Sequence, residues 1–555
     1  NPDGQWDFKM SAGGLVSALA GVKNEFPFVW VGWSGSEVPD TDQDSLRREL
    51  RAQHGCVPVY LSDYDAHLYY NGFCNDVLWP LFHYVPLPIV SSDGERKFDV
   101  KYWEAYSKAN HRFAEAIMQV YEPGDLIWVQ DYHLMLLPSL LRKRIRDVTI
   151  GFFLHTPFPS SEVYRILPMR NKVLQGVLAA DLIGFHTYDY ARHFLSVCTR
   201  ILGLEASPKG VDYKDHFAHV GIFPIGIDPS AFIRALDLPS VQERASELQA
   251  KFAGKKVLLG VDRLDYIKGV PHKLMAFETL LARHPEWNER AVLVQIAVPS
   301  RTEVEEYKKL SSQTHELVGR INGKFGSVDY SPIVFINQSV NFHDLVALYS
   351  VADVCVVSSI RDGMNLVSYE YVMCQRERHG VLVLSEFAGS AQSLSGALRV
   401  NPWNIEELAT ALHDALSASP RERQLKQQKL YRYVTTHTAA FWAQSFVSEL
   451  RELANLEREA RDARGANLPL PFLRVERELV SALQPRRHRL FLFEYEGTLC
   501  APVALADLAT PSSSLRRYLA RLSSDRANAV YIFSSRSKTV LDGWFGDLHV
   551  GLVAE

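Results

Sequence analysis

The chain has 555 residues, of which 47% are apolar and 22% charged, a globular composition that excludes a disordered chain or a fibre and predicts about two to four domains. Sixty Lys and Arg against 64 Asp and Glu give a net charge of −4, so neither nucleic acid nor an anionic membrane is expected as the main partner. No apolar run approaches the roughly 18 residues of a membrane helix, so no membrane partner is expected.

Short β-rich runs alternate with longer segments of helical periodicity along most of the chain. Nearly all of the short runs are continuously apolar, which is typical of parallel strands covered on both faces. The predicted strands are Phe28–Trp33, Leu126–Gln130, Thr149–Leu154, Val257–Val261, Ala291–Ala297, Ile333–Ile336, Val354–Ser358, Val381–Leu384 and Arg489–Glu494. The predicted helices include Tyr102–Tyr121, Pro271–Ala282, Thr302–Ile321 and Glu406–Ala418.

This alternation predicts an α/β protein with two doubly wound sheets. We place the first lobe at residues 1–225 and the second at 226–455, because the intervening segment 223–229 carries two prolines and a glycine. A substrate cleft between the lobes follows, since ligands of such sheets bind at the carboxyl ends of the strands. A third region, 470–555, is too short for a complete α/β domain.

The six cysteines are scattered without C-x-x-C spacing, which argues against a zinc ribbon and a disulfide framework. We therefore expect a reducing compartment and a cytoplasmic protein. The chain starts at Asn1 without a visible signal peptide, so we expect the sequence to begin inside a longer chain.

Three segments of the first lobe carry candidate chemistry. Gly14 belongs to a glycine pair before an apolar helical stretch, where backbone amides could approach an anion, although a plain loop is the simpler interpretation. Asp131 follows a predicted strand and either belongs to a site or caps the next helix. His155 ends the following strand before two prolines and is either a core histidine or a partner of Asp131 in one site.

The second lobe offers cations at its strand ends. Arg263 and Lys268 follow one strand, and Arg301 follows the next. Guanidinium and ammonium groups suit phosphate oxygens, although a surface loop paired with Asp262 and Asp265 would contain the same residues.

A glycine turn and a helix start follow another strand of the second lobe. Asp362 precedes Gly363, and the amides of the next residues could bind phosphate or sugar oxygens. Glu370 lies within about two helical turns and could reach a ribose, or it could be a solvated helix carboxylate.

The cations of these segments suit a diphosphate, and their Asp, His and Glu side chains suit sugar hydroxyls. This chemistry indicates an enzyme that uses a nucleotide sugar and needs no metal or other cofactor. Two Asp-x-Asp triplets, at 40–42 and 63–65, lie outside the predicted core strands, and we interpret them as solvated turns rather than metal ligands.

Several long motifs resemble the trehalose-6-phosphate synthases of the fungal type over about residues 10–455. They are SAGGLVSAL, YYNGFCNDVLWPLFHY, DLIWVQDYHL, GFFLHTPFPSSEVYRILP, GFHTYDYARHF, FPIGIDP, GVDRLDYIKGVP, GRINGKFG and RDGMNLVSYEYV. The resemblance implies a retaining glycosyltransferase of the GT-B fold, with two Rossmann-like lobes. It also implies transfer of glucose from UDP-glucose to glucose 6-phosphate, with release of UDP.

The resemblance assigns roles to individual residues. Those implied to bind the donor UDP-glucose are Gly14, His155, Arg263, Lys268, Asp362, Gly363, Met364, Asn365, Leu366 and Glu370. Those implied to bind the acceptor are Trp33, Tyr70, Trp79, Asp131 and Arg301. The catalytic set implied is His155, Asp131, Arg263, Lys268 and Asp362. A further Arg that family members carry on their first strand would precede Asn1.

The tail resembles the phosphatases of the haloacid-dehalogenase type that act on trehalose 6-phosphate. Its FLFEYEGTL segment matches their first motif, but Glu494 and Glu496 replace the two aspartates that act there as nucleophile and acid/base. A carboxylate displaced by roughly an ångström can lose ~10²-fold in rate. We therefore predict that 470–555 is a partial, inactive phosphatase-like domain.

The two resemblances leave three possible functions: an active synthase, a non-catalytic regulatory subunit of a trehalose-synthesising complex, and a phosphatase. Retention of every aligned substrate residue favours the synthase, and Glu494 and Glu496 argue against the phosphatase. The expected partners are UDP-glucose, glucose 6-phosphate, further copies of the chain in a homo-oligomer, with a tetramer suspected, and a trehalose-6-phosphate phosphatase.

Overall fold

The computed structural model describes Trp6, Phe8, Ala18, Leu19, Val22 and residues 26–85, 99–145, 147–214, 216–300, 305–465, 488–500 and 509–554, with 305, 306 and 460–465 described by their backbone. The chain forms two compact units, Asn1–Arg458 and Glu459–Glu555. The predicted site residues Gly14 and Arg301 lie outside the described residues. No disulfide joins the six cysteines, all of which are described.

The first sheet of the larger unit has six described strands in the order β3-β4-β5-β8-β7-β6. Neighbours among β3, β4, β5 and β8 are parallel, as predicted, whereas β6 and β7 add an antiparallel edge that the sequence did not predict. A separate parallel pair, β1 and β2, precedes it. The strands are β1 (Trp30–Trp33), β2 (Cys56–Val59), β3 (Leu126–Gln130), β4 (Thr149–Phe153), β5 (Leu182–Phe185), β6 (Ala206–Ser207), β7 (Gly210–Tyr213) and β8 (His216–Ile222).

The second sheet is parallel in all of its described strands, in the order β11-β10-β9-β12-β13-β14. Its central strand β12 is buried at every residue, which explains its continuous apolar sequence. The strands are β9 (Lys256–Arg263), β10 (Ala291–Val298), β11 (Ile333–Ile336), β12 (Val354–Val357), β13 (Val381–Ser385) and β14 (Leu398–Val400).

Helices cover both faces of these sheets, as expected for parallel strands. The Asp-x-Asp triplets lie in the first turns of two of them, at 40–42 and 63–65, so their interpretation as turns was wrong. The α-helices are Asp40–His54, Asp63–Ala66, Trp79–Phe82, Val100–Met118, Leu137–Arg142, Ser161–Tyr164, Arg170–Val177, Tyr188–Leu202, Pro229–Leu236, Pro239–Lys251, Val270–Arg283, Glu305–Phe325, Phe342–Val351, Val367–Cys374, Ile405–Ser417, Pro420–Thr436 and Ala439–Gly465. No described helix combines the length and the apolarity that crossing a membrane requires.

The last of these helices returns to the first sheet. The Phe446 ring stacks on Trp128 of β3 at 4.6 Å and 9°, and Trp442 contacts Phe153 of β4. The chain therefore passes between the lobes twice, near Ile227 and near residue 438. The expected second lobe, 226–455, thus includes a helix that packs on the sheet of the first lobe. The predicted lobe boundaries stay predictions.

The smaller unit has three described strands, which form one parallel sheet. The predicted strand Arg489–Glu494 is the first of them. Helices Ser513–Ser523 and Lys538–Phe545 pack with one face of this sheet, whereas Leu490 and Leu492 on the other face are exposed. The strands are β15 (Arg489–Glu494), β16 (Asn528–Ser534) and β17 (Gly551–Ala554).

Candidate functional site

Polar side chains from both lobes of the larger unit meet at the carboxyl ends of the strands. Asp131 follows β3, His155 follows β4, Arg263 ends β9 and Asp362 follows β12. The backbone amide of His155 donates to Asp131 Oδ1 at 3.1 Å. The structure therefore brings Asp131 and His155 together, and their membership of one functional site stays a prediction.

Asp131 is held in a conformation that L-residues rarely adopt. Its φ of 68° and ψ of 175° lie in a region of backbone space that is essentially restricted to glycine, and such strain costs about 1–3 kcal/mol. The side chain is thereby directed at the backbone that follows β4. Burial raises the pKa of Asp131 to about 6. Hydrogen bonds from backbone amides stabilise the charged carboxylate and offset part of this rise. Asp131 is not the cap of the following 3₁₀ turn, since its side chain makes no capping hydrogen bond there.

His155 is a neutral imidazole at the floor of the site. Its Nε2–H donates to Gln130 Oε1 at 2.9 Å, which fixes the ring and leaves Nδ1 as an acceptor. Burial, with the neighbouring His186, holds the pKa of His155 well below its ordinary value. Such a ring orients a hydroxyl but accepts a proton poorly.

Arg263 and Trp79 connect the two lobes across the site. The guanidinium carbon lies 5.2 Å from the centre of the Trp79 ring, within the range of a cation–π interaction. Trp79 is buried, while the side chain of Arg263 remains 45% exposed. A cation this exposed is accessible to an anionic ligand that enters the site.

Lys268 and Asp362 form an ion pair of 2.6 Å in the second lobe. Ser359 Oγ and Asn365 Nδ2 each donate to Asp362 at 3.2 Å. Burial alone would raise the pKa of Asp362, but the Lys268 ammonium and the hydrogen bonds hold it below its ordinary value. The carboxylate therefore stays ionised inside the protein.

The segment Ser359–Leu366, called here the donor loop, lies directly against the first lobe. A Cβ at Gly363 would come within 1.9 Å of the His155 backbone oxygen, so only glycine permits this approach. Asn365 accepts a hydrogen bond from the Ser368 amide at 3.1 Å and so anchors the start of the next helix. Met364 and Leu366 pack into the cores on either side of the loop.

Glu370 lies one turn into that helix. Tyr349 donates its hydroxyl to Glu370 Oε2 at 2.8 Å, and burial raises the pKa of the carboxyl. Glu370 is therefore not a solvated carboxylate, and its second oxygen can accept a further hydrogen bond.

Three of the predicted acceptor residues of the first lobe are aromatic: Trp33, Tyr70 and Trp79. Tyr70 lies in a π-helix, His67–Leu78, a rare form that often marks functional sites. Its exposed ring stacks on His133 at 5.6 Å and contacts Trp33 at 6.1 Å. The π-helix leads directly into Trp79, so one segment positions both aromatic residues.

Three residues of the site were not predicted from the sequence. Gln130 binds His155, and Tyr190 donates to the Asp362 carbonyl oxygen at 2.9 Å. His83 packs on the Trp79 ring at 4.1 Å, and burial lowers its pKa to about 4. All three stand within the motifs quoted above, but their contacts depend on the fold.

Two clusters in the described part could offer three ligands to a metal, and neither lies at this site. Asp181, His216 and Glu457 form one cluster, but Asp181 already binds Arg142 at 2.7 Å. The other cluster contains His284, Glu286 and His413. Its imidazoles stack at 3.8 Å and 14°, so their lone pairs run parallel instead of converging on one ion.

In the smaller unit, the phosphatase-like motif that follows β15 contacts residues at the end of β16. Glu496 follows β15 and accepts hydrogen bonds from Ser534 Oγ at 2.8 Å and Arg536 Nε at 3.0 Å. Glu494 lies at the exposed end of the same strand. The guanidinium of Arg536 also lies 5.1 Å from the Trp544 ring, so Glu496 belongs to a local ion-pair network.

Comparison with known proteins finds similar proteins over most or all of the chain. The model of glycosyltransferase family 20 matches residues 1–452. The α,α-trehalose-phosphate synthase [UDP-forming] A of Dictyostelium discoideum is 49% identical over 553 residues, which cover 100% of this chain and 73% of that protein. The synthase [UDP-forming] of Schizosaccharomyces pombe is 56% identical over 455 residues, 81% of this chain and 87% of that protein.

Solved structures of related enzymes have the same fold. The Escherichia coli protein bound to UDP-2-fluoro glucose superimposes with a TM-score of 0.72 at 33% identity, covering 80% of this chain and 97% of that one. A UDP-forming trehalose-phosphate synthase from Burkholderia xenovorans in complex with glucose-6-phosphate gives 0.72 at 31% identity, with the same coverages. The predicted two-lobed GT-B architecture is confirmed by these matches.

Proposed function

This chain belongs to glycosyltransferase family 20, and we propose that it transfers glucose with retention from UDP-glucose to glucose 6-phosphate. The products are trehalose 6-phosphate and UDP, and the activity is that of a UDP-forming trehalose-phosphate synthase. The reaction is the first step of trehalose biosynthesis.

The second lobe binds the donor. Arg263 and Lys268 hold the diphosphate, and Asp362 with the amides of the donor loop holds the glucose. Glu370 uses its free oxygen for the ribose hydroxyls. The support for this division is that Arg263 is the exposed cation at the end of β9, whereas Lys268 and Asp362 already form a fixed pair beside it.

The first lobe, together with Arg301 of the second, binds the acceptor. Tyr70, Trp79 and Arg301 bind the phosphate of glucose 6-phosphate, Trp33 supports the Tyr70 ring, and Asp131 binds an acceptor hydroxyl. A backbone strained at Asp131 keeps that carboxylate in one orientation, which lowers the cost of ordering it when the acceptor arrives.

The transfer occurs at one face of the donor sugar. The bond from the anomeric carbon to the UDP oxygen breaks, the acceptor oxygen bonds to that carbon, and the acceptor proton moves to the departing phosphate oxygen. His155 orients the glucose and takes no proton, because its pKa lies well below the ordinary value. Arg263 and Lys268 stabilise the negative charge that develops on the diphosphate.

One observation supports this function above the others: residues expected to bind the donor and residues expected to bind the acceptor touch. Arg263 of the donor set lies over Trp79 of the acceptor set, and the two lobes also meet where Gly363 lies against the backbone of His155. Two substrates bound to these groups would meet in a single cleft.

The test is UDP release by the purified chain. UDP-glucose with glucose 6-phosphate should give UDP and an equal amount of trehalose 6-phosphate, whereas glucose without the phosphate should give little of either. A chain that releases no more UDP with glucose 6-phosphate than without it would contradict the proposal and favour a regulatory subunit.

Other features of the proposal rest on the sequence. We expect activity in the presence of a chelator, since the site chemistry requires no metal. We also expect a homo-oligomer in a reducing, cytoplasmic environment, associated with a trehalose-6-phosphate phosphatase. The region 470–555 should release no phosphate from trehalose 6-phosphate and should serve stability or regulation.

A further inference from the structure

We propose that Tyr190 is a positioning residue for glucosyl transfer: from the first lobe, its hydroxyl fixes the backbone of the donor loop in the second. This inference rests on the proposed function, because the donor loop is taken to hold the glucose. Among the residues that the structure describes, no hydrogen bond or ring contact joins Tyr190 to Arg263, Lys268 or an expected acceptor residue.

The position of Tyr190 is itself well defined. It lies in the first turn of helix Tyr188–Leu202, where its amide donates to the side chain of the capping residue Thr187. Only 8% of the residue is exposed. Its hydroxyl donates to the Asp362 carbonyl oxygen at 2.9 Å. The two residues are 172 positions apart in the sequence.

The Asp362 backbone receives hydrogen bonds from both lobes. Its carbonyl oxygen accepts from Tyr190 and also from the Gly389 amide at 3.1 Å, and its own amide donates to the Phe387 oxygen at 3.1 Å. Lys268 holds the side chain of the same residue. Tyr190 therefore supplies the contact through which the first lobe constrains the orientation of this peptide.

The neighbours of Asp362 contact the first lobe as well. The Arg361 guanidinium lies 4.3 Å from the centre of the Tyr84 ring and 5.3 Å from that of Phe387. Gly363 lies against the His155 backbone. Cation–π and van der Waals contacts tolerate small displacements, whereas the hydrogen bond from Tyr190 is directional and fixes the rotation of the peptide.

Loss of the Tyr190 hydroxyl should lower the rate of transfer and leave UDP binding unchanged. Without the Tyr190 hydroxyl the donor loop can rotate slightly, and the glucose held by Asp362 moves relative to the acceptor. A small misplacement lowers the rate of transfer much more than it lowers binding. UDP binding should be preserved, because Arg263 and Lys268 are untouched.

The test compares Tyr190→Phe with Tyr188→Phe. Both substitutions remove one hydroxyl from the same helix, but Tyr188 is 61% exposed. We expect kcat of Tyr190→Phe to fall about five- to twentyfold, with UDP affinity by calorimetry and KM for glucose 6-phosphate each within about twofold of wild type. Tyr188→Phe should match wild type in all three quantities.

A second measurement does not depend on turnover. With UDP bound, amide hydrogen exchange across 359–366 should be at least about fivefold faster in Tyr190→Phe than in Tyr188→Phe. Equal exchange in the two variants, or equal kcat in an active background, would overturn the inference. A kcat loss matched by weaker UDP binding would assign Tyr190 a general structural role and overturn it too. Failure of the proposed function would show differently, as a wild-type chain that releases no UDP.

Discussion

Each unit places a carboxylate beside a cation after a parallel strand, and the surroundings of the two pairs differ. Asp362 is 8% exposed, is bound by Lys268, Ser359 and Asn365, and has its backbone fixed from the opposite lobe. Glu496 is 35% exposed and is bound by Ser534 and Arg536 within its own small sheet.

The difference shows that a carboxylate paired with a cation at a strand end does not by itself form a site. The donor loop faces a second lobe that supplies other chemistry, so a ligand there can be enclosed and desolvated. The described contacts of Glu496 come from its own unit, and its two partners already satisfy much of its hydrogen-bonding capacity. Substitutions in the two regions should therefore have very different effects.

The largest expected effect is at Arg263. Arg263→Ala removes a cation placed to stabilise the departing diphosphate, and loss of one such group typically lowers the rate about 10²–10³-fold. UDP release at saturating UDP-glucose measures this, with Arg234→Ala, whose side chain is 72% exposed, as the control. Turnover close to wild type would remove Arg263 from the site and weaken the contrast between the two units.

Asp131 tests whether the first lobe belongs to the same site. Asp131→Asn should lower kcat about 10²-fold through loss of a charged contact to an acceptor hydroxyl, while keeping the hydrogen bond from His155.

The same variant should also change the pH dependence of stability. The pKa of Asp131 rises on folding from 3.8 to about 6, so the stability it contributes is complete below 3.8 and is lost as pH rises through about 6. Asn does not titrate. The unfolding free energy of Asp131→Asn relative to wild type should therefore increase by about 1–2 kcal/mol between pH 5 and 7.5, measured by denaturant titration. A difference independent of pH would contradict the raised pKa.

Arg301 should affect the acceptor alone. Arg301→Ala should raise KM for glucose 6-phosphate about tenfold or more, because a charge-assisted hydrogen bond to the phosphate is lost. Calorimetry with UDP should give an affinity within about twofold of wild type. Weakened UDP binding with unchanged acceptor kinetics would place Arg301 on the donor side instead.

The smallest effect is expected at Glu496. Glu496→Gln replaces a partly exposed ion pair, and such pairs contribute about 0–1 kcal/mol, so UDP release should stay within about twofold. Neither the wild type nor the variant should release phosphate from trehalose 6-phosphate with Mg²⁺ present. Phosphate release by the wild type that disappears in Glu496→Gln would show that the smaller unit retains catalysis.

Sequence patterns predicted the apolar parallel strands best. The bounds of β3, β11 and β15 match their predictions, because each is a short apolar run between polar residues. The strand Leu182–Phe185 was missed, since it is only four residues long and contains a glycine. The antiparallel edge was missed because its strands mix polar and apolar residues without a continuous run.

The candidate site was predicted as a set of residues, but its contacts were not. Asp131 and His155 were expected to lie together because neighbouring parallel strands end at the same edge of a sheet, and the structure places them in hydrogen-bond contact. Tyr190 was missed because its partner is distant in the sequence, and nothing local distinguishes it from other tyrosines. The π-helix around Tyr70 was missed because its sequence has no periodicity that separates it from an α-helix.

The two passages of the chain between the lobes lie side by side. The Ala439 amide donates to the Ile227 oxygen at 2.9 Å, and a Cβ at Gly226 would come within 2.0 Å of the His437 oxygen. The segment 229–436 thus begins and ends at neighbouring points of the structure, the arrangement in which insertion of one domain into another is tolerated. It can accordingly be exchanged as one uninterrupted piece whose two junctions lie at the same place in the fold.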